Sequence, residues 1–249
     1  MDRKFALLFA ILITGLIASN VYIFSVLSSQ NNIESAYLSR VIDGDTIVID
    51  QGTRIRLANI NTPETGQTGF EEAKQFLEQY QGNTIGIEYT DIGRYGREIA
   101  RVYSPEGIYL NLNLVEEGLA NKFLVENSEK SLFYKTEEKA IQSEKGIWEK
   151  SEFFGCFESE VFPEDEKVIL TNDCDELNID GWFIMDESRK KYIFPHISIG
   201  TVEIQTHNGE NNETHLFWNN SRNIWNNNRD TVYFFDSEGK IALYHPYRY

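Results

Sequence analysis

Residues 41 to 64 hold the side chains best suited to chemistry. They are Asp43-Gly44-Asp45-Thr46, then Arg56, then Asn61-Thr62-Pro63-Glu64; Arg94-Tyr95-Gly96-Arg97 follows further along the chain. Carboxylates, an amide oxygen and arginines drawn from three places in one β-rich stretch suit cleavage of a phosphodiester assisted by a hard cation. Such a cation takes oxygen ligands. Charge developing on phosphorus calls for fixed guanidinium donors, and an attacking water needs a carboxylate to orient or deprotonate it.

Each piece also has an ordinary reading. Asp-Gly between apolar runs is usually a hairpin turn. Thr62-Pro63-Glu64 reads as a helix start, with Thr as the cap and Pro at the first helical position. Tyr95-Gly96-Arg97 fits any turn. The chemical reading rests on the three pieces together, in this order and spacing.

As a set they resemble a known family. Residues 37–150 are similar to the thermonuclease (staphylococcal nuclease-like) domain, an OB-fold β-barrel with helices. The likeness runs through Gly118-Leu119-Ala120 and the helical stretch Lys135-Thr136-Glu137-Glu138-Lys139-Ala140, and closes at Lys145-Gly146-Ile147-Trp148. The resemblance implies that Asp45 ligates Ca²⁺ through its side chain and Thr62 through its backbone carbonyl. It implies that Arg56 and Arg97 clamp the reacting phosphate, that Glu64 positions or activates the water, and that Arg94 and Tyr95 touch a substrate phosphate. The implied substrate is DNA, with RNA as a second.

Two positions depart from that pattern. Asn61 stands where the family has a second metal-binding aspartate, which removes one negative charge from the site. Affinity for Ca²⁺ follows ligand charge, so this implies weaker binding or an altered metal preference. Asp43, two residues from Asp45, can point to the same side of a strand and replace it. Past Gly118-Leu119-Ala120 the chain reads Asn121-Lys122-Phe123-Leu124-Val125-Glu126, without the family's base-stacking tyrosines. Phe123 is the residue left to stack or to enter the core. The loop after Glu64 carries no basic side chain before Lys74.

Composition limits the alternatives. With 249 residues, 41% hydrophobic and 25% charged, the chain holds two ordinary domains and is not disordered. Its net charge is −16. Residues 36–150 carry 13 basic and 19 acidic side chains, and residues 151–249 carry 8 and 18. A protein that holds long polyanions by charge alone should be basic, so storage or packaging of nucleic acid is disfavoured.

Met1-Asp2-Arg3-Lys4 precedes an apolar run over residues 5–27. Its length matches a membrane-crossing helix and exceeds a signal-peptide core. The expectation is a single-pass anchor over 1–35, N-terminus cytoplasmic and both domains outside. Secretion after cleavage near Ala18-Ser19-Asn20 is the alternative.

From Ser151 short β-rich runs alternate with turns. They fall at 167–170, 181–186, 192–194, 201–204, 216–218, 231–236 and 241–244, and predict a β-sandwich over 151–249. The order of Leu177-Asn178-Ile179-Asp180-Gly181-Trp182, Phe217-Trp218, Ile224-Trp225 and the 230–240 stretch resembles the lamin tail domain, an immunoglobulin-like sandwich. That likeness implies an attachment or interaction role with an unidentified protein or envelope partner. The four histidines lack metal-ligand spacing. Cys156 and Cys174, the only cysteines, are expected to pair outside the cell. The fold expected is mainly β in two domains, behind one transmembrane helix. The function expected is a membrane-anchored extracellular nuclease. The alternative is a catalytically weakened nucleic-acid-binding or envelope interaction protein.

Overall fold

The computed structural model describes residues 33–93 and 96–249. The apolar run 5–27, Arg94 and Tyr95 lie outside the described residues. Among the described residues no helix is long and apolar enough to cross a membrane.

The first unit is a closed five-stranded barrel, in the order β1-β2-β3-β6-β5. Its strands are β1 (Glu34–Val41), β2 (Thr46–Ile49), β3 (Thr53–Leu57), β5 (Thr84–Ile92) and β6 (Glu98–Tyr103). Period-two alternation turns Ala36 and Leu38 of β1 inward. An irregularity between Leu38 and Arg40 resets the phase, so Val41 is buried too. In β3, Ile55 and Leu57 point in while Arg54 and Arg56 point out. The pair β3–β6 is parallel and the other barrel pairs are antiparallel. A two-residue ribbon, β4 (Ile60–Asn61) with β7 (Asn121–Lys122), stands beside the barrel.

Three helices close the barrel core: α1 (Phe70–Glu78), α2 (Leu110–Glu116) and α3 (Lys130–Gln142). They contribute Ala73, Leu77, Leu110, Leu114, Val115 and Phe133 to the apolar cluster. The helix nearest Thr62-Pro63 starts only at Phe70, behind Gly69 at φ 88°, so Thr62 is not a helix cap. Asn111 of α2 is fully buried. Its Oδ1 accepts from Val102 N (2.9 Å) and its Nδ2 donates to Ala58 O (2.9 Å) and Ala100 O (3.1 Å). The bond to Ala58 O satisfies a carbonyl of the short β3–β4 connection, and the three together tie β6 to the segment that leads to Asn61.

Beyond Trp148 two four-stranded sheets face one another across a second apolar cluster. One has the order β12-β11-β16-β17, from β12 (Lys191–Ile193), β11 (Phe183–Met185), β16 (Asp230–Phe235) and β17 (Ile241–Tyr247). The other has the order β15-β14-β9-β8, from β15 (His215–Phe217), β14 (Thr201–Gln205), β9 (Lys167–Asn172) and β8 (Phe157–Phe162). A small ribbon joins β10 (Leu177–Asn178) to β13 (Ser198–Ile199). Cys156 and Cys174 form a disulfide that joins the start of β8 to the loop after β9. Trp182 and Trp225 are core residues.

All six residues of β16 are buried, because both faces of that strand are covered. Val232 and Phe234 point into the sandwich core. Tyr233 and Phe235 point the other way, onto Ala140, Ile141, Ile147 and Trp148 of the first unit. Trp148 stacks on Tyr233 with ring centres 5.4 Å apart. Between these apolar contacts lies a buried ion cluster. Lys122 Nζ, with no exposure, donates to Glu137 Oε2 and Thr231 Oγ1, both at 2.6 Å, and sits 3.1 Å from Glu187 Oε1. The rings of Tyr233, Tyr244 and Tyr249 surround it at 4.5–5.6 Å. A buried cation needs such partners.

Candidate active site

The turn between β1 and β2 carries Asp43 and Asp45. Asp43 Oδ1 accepts from Asp45 N at 3.1 Å, which closes the turn. Gly44 lies so close to α1 and Thr62 that an added Cβ would stand 2.6 Å from Ala73 Cβ and 2.8 Å from Thr62 Oγ1. Only glycine allows the acidic turn, the helix and Thr62 to meet.

That approach aims Asp45 at Thr62. Asp45 Oδ2 accepts from both Thr62 N and Thr62 Oγ1 at 3.1 Å, and Oδ1 accepts from Thr46 Oγ1 at 3.1 Å. Arg56 reaches in from the outer face of β3. Its Nη2 lies 3.1 Å from Asp45 Oδ2 and donates to Asn61 Oδ1 at 2.9 Å, while Nη1 donates to Leu57 O at 3.0 Å. Asp45, Arg56, Asn61 and Thr62 therefore form one hydrogen-bonded group. Glu64 stands exposed at its rim. Its backbone is held by Gln67, whose Oε1 accepts from Glu64 N at 3.2 Å.

Asn61 is tied on both sides. Its Oδ1 faces Arg56, and its Nδ2 points to Glu187 O of the sandwich at 3.5 Å. Asn121, its cross-strand neighbour, donates from Nδ2 to the same carbonyl at 2.8 Å. An aspartate at 61 would set an oxygen against Glu187 O. The amide is thus the side chain that suits both the barrel arginine and the second unit.

Arg97 is exposed on the β5–β6 turn, after Gly96 at φ 70°. It immediately precedes β6, the strand that neighbours β3, with Thr53, Arg54 and Glu98 around it. Among the described residues its guanidinium makes no hydrogen bond to Asp45, Asn61 or Glu64. A cleft of about 200 Å³ opens beside Arg56, lined by Asn59, Asp91, Phe123 and Leu124. Phe123 is half-buried there.

The donor chemistry suits a hard cation. Asp45 Oδ2 and Asn61 Oδ1 already converge on one positive nitrogen of Arg56. Burial, and then the neighbouring charge of Asp45, push the Asp43 carboxyl up; a cation here would relieve that repulsion. Among the described residues no group of three or more His, Cys, Asp or Glu side chains gathers as a metal site. Any ion would therefore rely on Asp45 and Asp43 together with the neutral oxygens of Asn61 and Thr62.

Residues missed in the sequence come from the sandwich. Arg189 Nε and Nη2 donate to Gln67 Oε1 at 3.4 and 3.1 Å, and Nη1 donates to Asn121 Oδ1 at 3.2 Å. Nothing in the local spacing of Ser188-Arg189-Lys190 marks this role.

Comparison with known proteins covers part of this set of positions. The model of the family of staphylococcal nuclease homologues matches residues 54–150. That stretch includes Arg56, Asn61, Thr62, Glu64 and Arg97, and leaves out Asp43, Asp45 and the sandwich. An uncharacterised endonuclease of Escherichia coli is 36% identical over 113 residues, which is 44% of this chain and 73% of that protein. A thermonuclease of Staphylococcus intermedius is 34% identical over 131 residues, 47% of this chain and 77% of its own length. A micrococcal nuclease of Shigella flexneri is 30% identical over 122 residues, 44% and 70% of the two chains.

Proposed function

Because this chain belongs to the staphylococcal nuclease family, we propose that it is a Ca²⁺-assisted nuclease that hydrolyses phosphodiester bonds of DNA and RNA in the Asp45–Arg56–Asn61–Thr62–Glu64 site. The enzyme is a nuclease; the substrates, the metal and the roles of single residues are proposed. The observation that carries it is the convergence of Asp45 and Asn61 oxygens with the Arg56 guanidinium beside an exposed Glu64.

Asp45, Asn61 and the Thr62 carbonyl, with Asp43 as a further carboxylate, would hold Ca²⁺. The ion would supply charge neutralisation at the phosphate. Arg56 offers a guanidinium for the equatorial oxygens of the five-coordinate transition state. Arg97, just before β6, is the second clamp, and by the family resemblance Arg94 and Tyr95 touch a neighbouring phosphate. Glu64 takes a proton from the attacking water at its exposed carboxylate. Phe123 and Leu124, in the cleft beside Arg56, give the base an apolar wall.

The run 5–27 supports a membrane anchor with both folded units on the outer side. The Cys156–Cys174 disulfide accords with that side. The sandwich, by its resemblance to lamin tail domains, is the part suited to an envelope or protein partner.

The test uses the full-length chain with single-stranded and duplex DNA and RNA. Cleavage is expected with Ca²⁺ and none with chelator. Arg56→Ala and Glu64→Gln should each lower kcat by about 10²–10³-fold with the thermal unfolding curve in place. Variants that cleave as the wild type does would overturn the site assignment.

A further inference from the structure

Between the loop after Glu64 and the sandwich lies a cleft of about 270 Å³. Gly66, Gln67 and Thr68 form one wall; Phe183, Arg189 and Lys191 are on the other. The loop wall carries no basic side chain, since the segment from Glu64 has none before Lys74. Both cations come from the sandwich.

Their placement is built. Arg189 sits at φ 63°, a conformation uncommon for a non-glycine residue. The buried Asp186 organises its turn, accepting from Ser188 Oγ at 2.6 and 2.8 Å and from Lys190 N at 2.9 Å. The guanidinium is then aimed by Gln67 and Asn121, which are both neutral. Gln67 Oε1 links it directly to the backbone N–H of Glu64. Burial pushes the Arg189 guanidinium down to about 10, opposed by Tyr233 and then by Glu64 and Asp45, the carboxylates of the nuclease site. Lys191 Nζ lies 4.2 Å above the Phe183 ring. Burial, and then Arg189 beside it, hold its ammonium below the ordinary lysine value, and no carboxylate offsets this. Glu238 at the rim is bound to Lys240 at 3.3 Å.

Two adjoining cations without a carboxylate of their own are unusual in a chain of net charge −16. They call for an anion from outside, and the site next door handles a polyanion. We propose that Arg189 and Lys191 form a phosphate subsite, so that a nucleic-acid strand in the Arg56–Glu64 site continues across this cleft onto the sandwich. The inference rests on the nuclease reading. The subsite recognises the backbone rather than a base, because the Phe183 ring is already stacked on Phe235 at 4.9 Å and covered by Lys191. It is therefore blind to sequence and sensitive to strand length.

The experiment compares wild type, Lys191→Gln, Arg189→Gln and Lys135→Gln in the full-length chain. Lys135→Gln removes the same charge from an exposed position of α3 outside the cleft. The probes are a dinucleotide and a single-stranded DNA of about a dozen nucleotides, a length that suits a single-strand groove. Binding is read by anisotropy with chelator present, and kcat and KM are read with Ca²⁺. For the longer strand Lys191→Gln should weaken binding roughly 3–10-fold and reduce the salt slope by about 0.7, the value of one single-strand phosphate contact. Its kcat, and its cleavage of the dinucleotide, should match the wild type. Arg189→Gln should show the same loss of binding and salt slope on the longer strand. Unchanged affinity and slope in both cleft variants would overturn the subsite. So would an equal loss in Lys135→Gln, or a fall in kcat at constant salt slope, which marks a purely positioning role. A wild type that binds the long strand and cleaves neither probe would defeat the nuclease reading and leave the binding comparison standing.

Discussion

The barrel and the sandwich treat their cations differently. The part-buried arginines of the barrel meet carboxylates: Arg56 lies against Asp45, and Arg101 is held at once by Glu88, Glu126 and Glu129 at 2.6–3.0 Å. The sandwich is the more acidic half, with 8 basic against 18 acidic side chains. Yet it turns Arg189 and Lys191 toward the barrel with only neutral or aromatic partners of their own. Net charge by domain therefore misplaces the binding capacity of this molecule. What locates it is the cation that folding leaves without an internal carboxylate.

The largest effect should come from the one place where a barrel cation is buried in the contact with the sandwich. Lys122→Met would leave Glu137 and Glu187 facing each other without their ammonium. Breaking a buried pair costs about 3–5 kcal/mol, which denaturant unfolding of the full-length variant would read as a lower midpoint. A midpoint equal to wild type would mean that the two units do not depend on this cluster.

Asn61→Asp sharpens the comparison at the metal. It adds a carboxylate beside Asp45 and so should lower the Ca²⁺ needed for half-maximal activity by up to about tenfold. It also sets an oxygen against Glu187 O, so the melting temperature should fall at the same time. An unchanged or higher Ca²⁺ requirement would remove Asn61 from the ligand set. Asp43→Asn, measured alongside, reports whether that neighbour already carries the second charge.

A pH slope tests the sandwich side of the same contact. Burial, with Glu187 and Asp186 nearby, pushes the Asp230 carboxyl up to about 8, against 3.8 when free. The folded state thus holds this proton more tightly than the unfolded chain does. The stability it contributes is full below about pH 3.8 and is lost as pH rises through about 8. Melting temperature should fall between pH 5 and pH 9 more steeply in the wild type than in Asp230→Asn. Parallel curves would refute the assignment.

Much of the barrel site was legible because its residues are close in sequence and tied to turns. Asp43-Gly44-Asp45 and Asn61-Thr62-Pro63-Glu64 lie on segments whose backbone the local chain dictates. The ordinary reading of Thr62-Pro63 as a helix start fails, since Thr62 spends its hydroxyl and N–H on Asp45 and the helix waits until Phe70. The reason for Asn61 was hidden, because the carbonyl it faces is 126 residues away. Arg189 was hidden for the same reason, inside a polar turn that looks like any other. Strand β8 escaped notice because it is an edge strand with only Phe157 fully buried, so its pattern lacks an apolar period. Nothing in the sequence marked Lys122. No local signal tells a buried cation from a solvated one when its partners, Glu187 and Thr231, belong to another fold unit.

The Lys122 cluster also has a consequence in time. The barrel leaves the ribosome before the sandwich. In that interval Lys122 has Glu137 on its own side and water in place of Glu187, Thr231 and the tyrosine rings, and Trp148 has no Tyr233 to stack on. The ion pair loses its water only when β16 and β17 arrive. The same docking step brings the Glu187 carbonyl to Asn61 and Arg189 to Gln67. Completion of this contact is thus timed by the synthesis of β16 and β17. Ribosome-bound chains stalled before residue 187 should show an accessible Lys122 and a 64–69 loop open to protease, and release of longer chains should close both together.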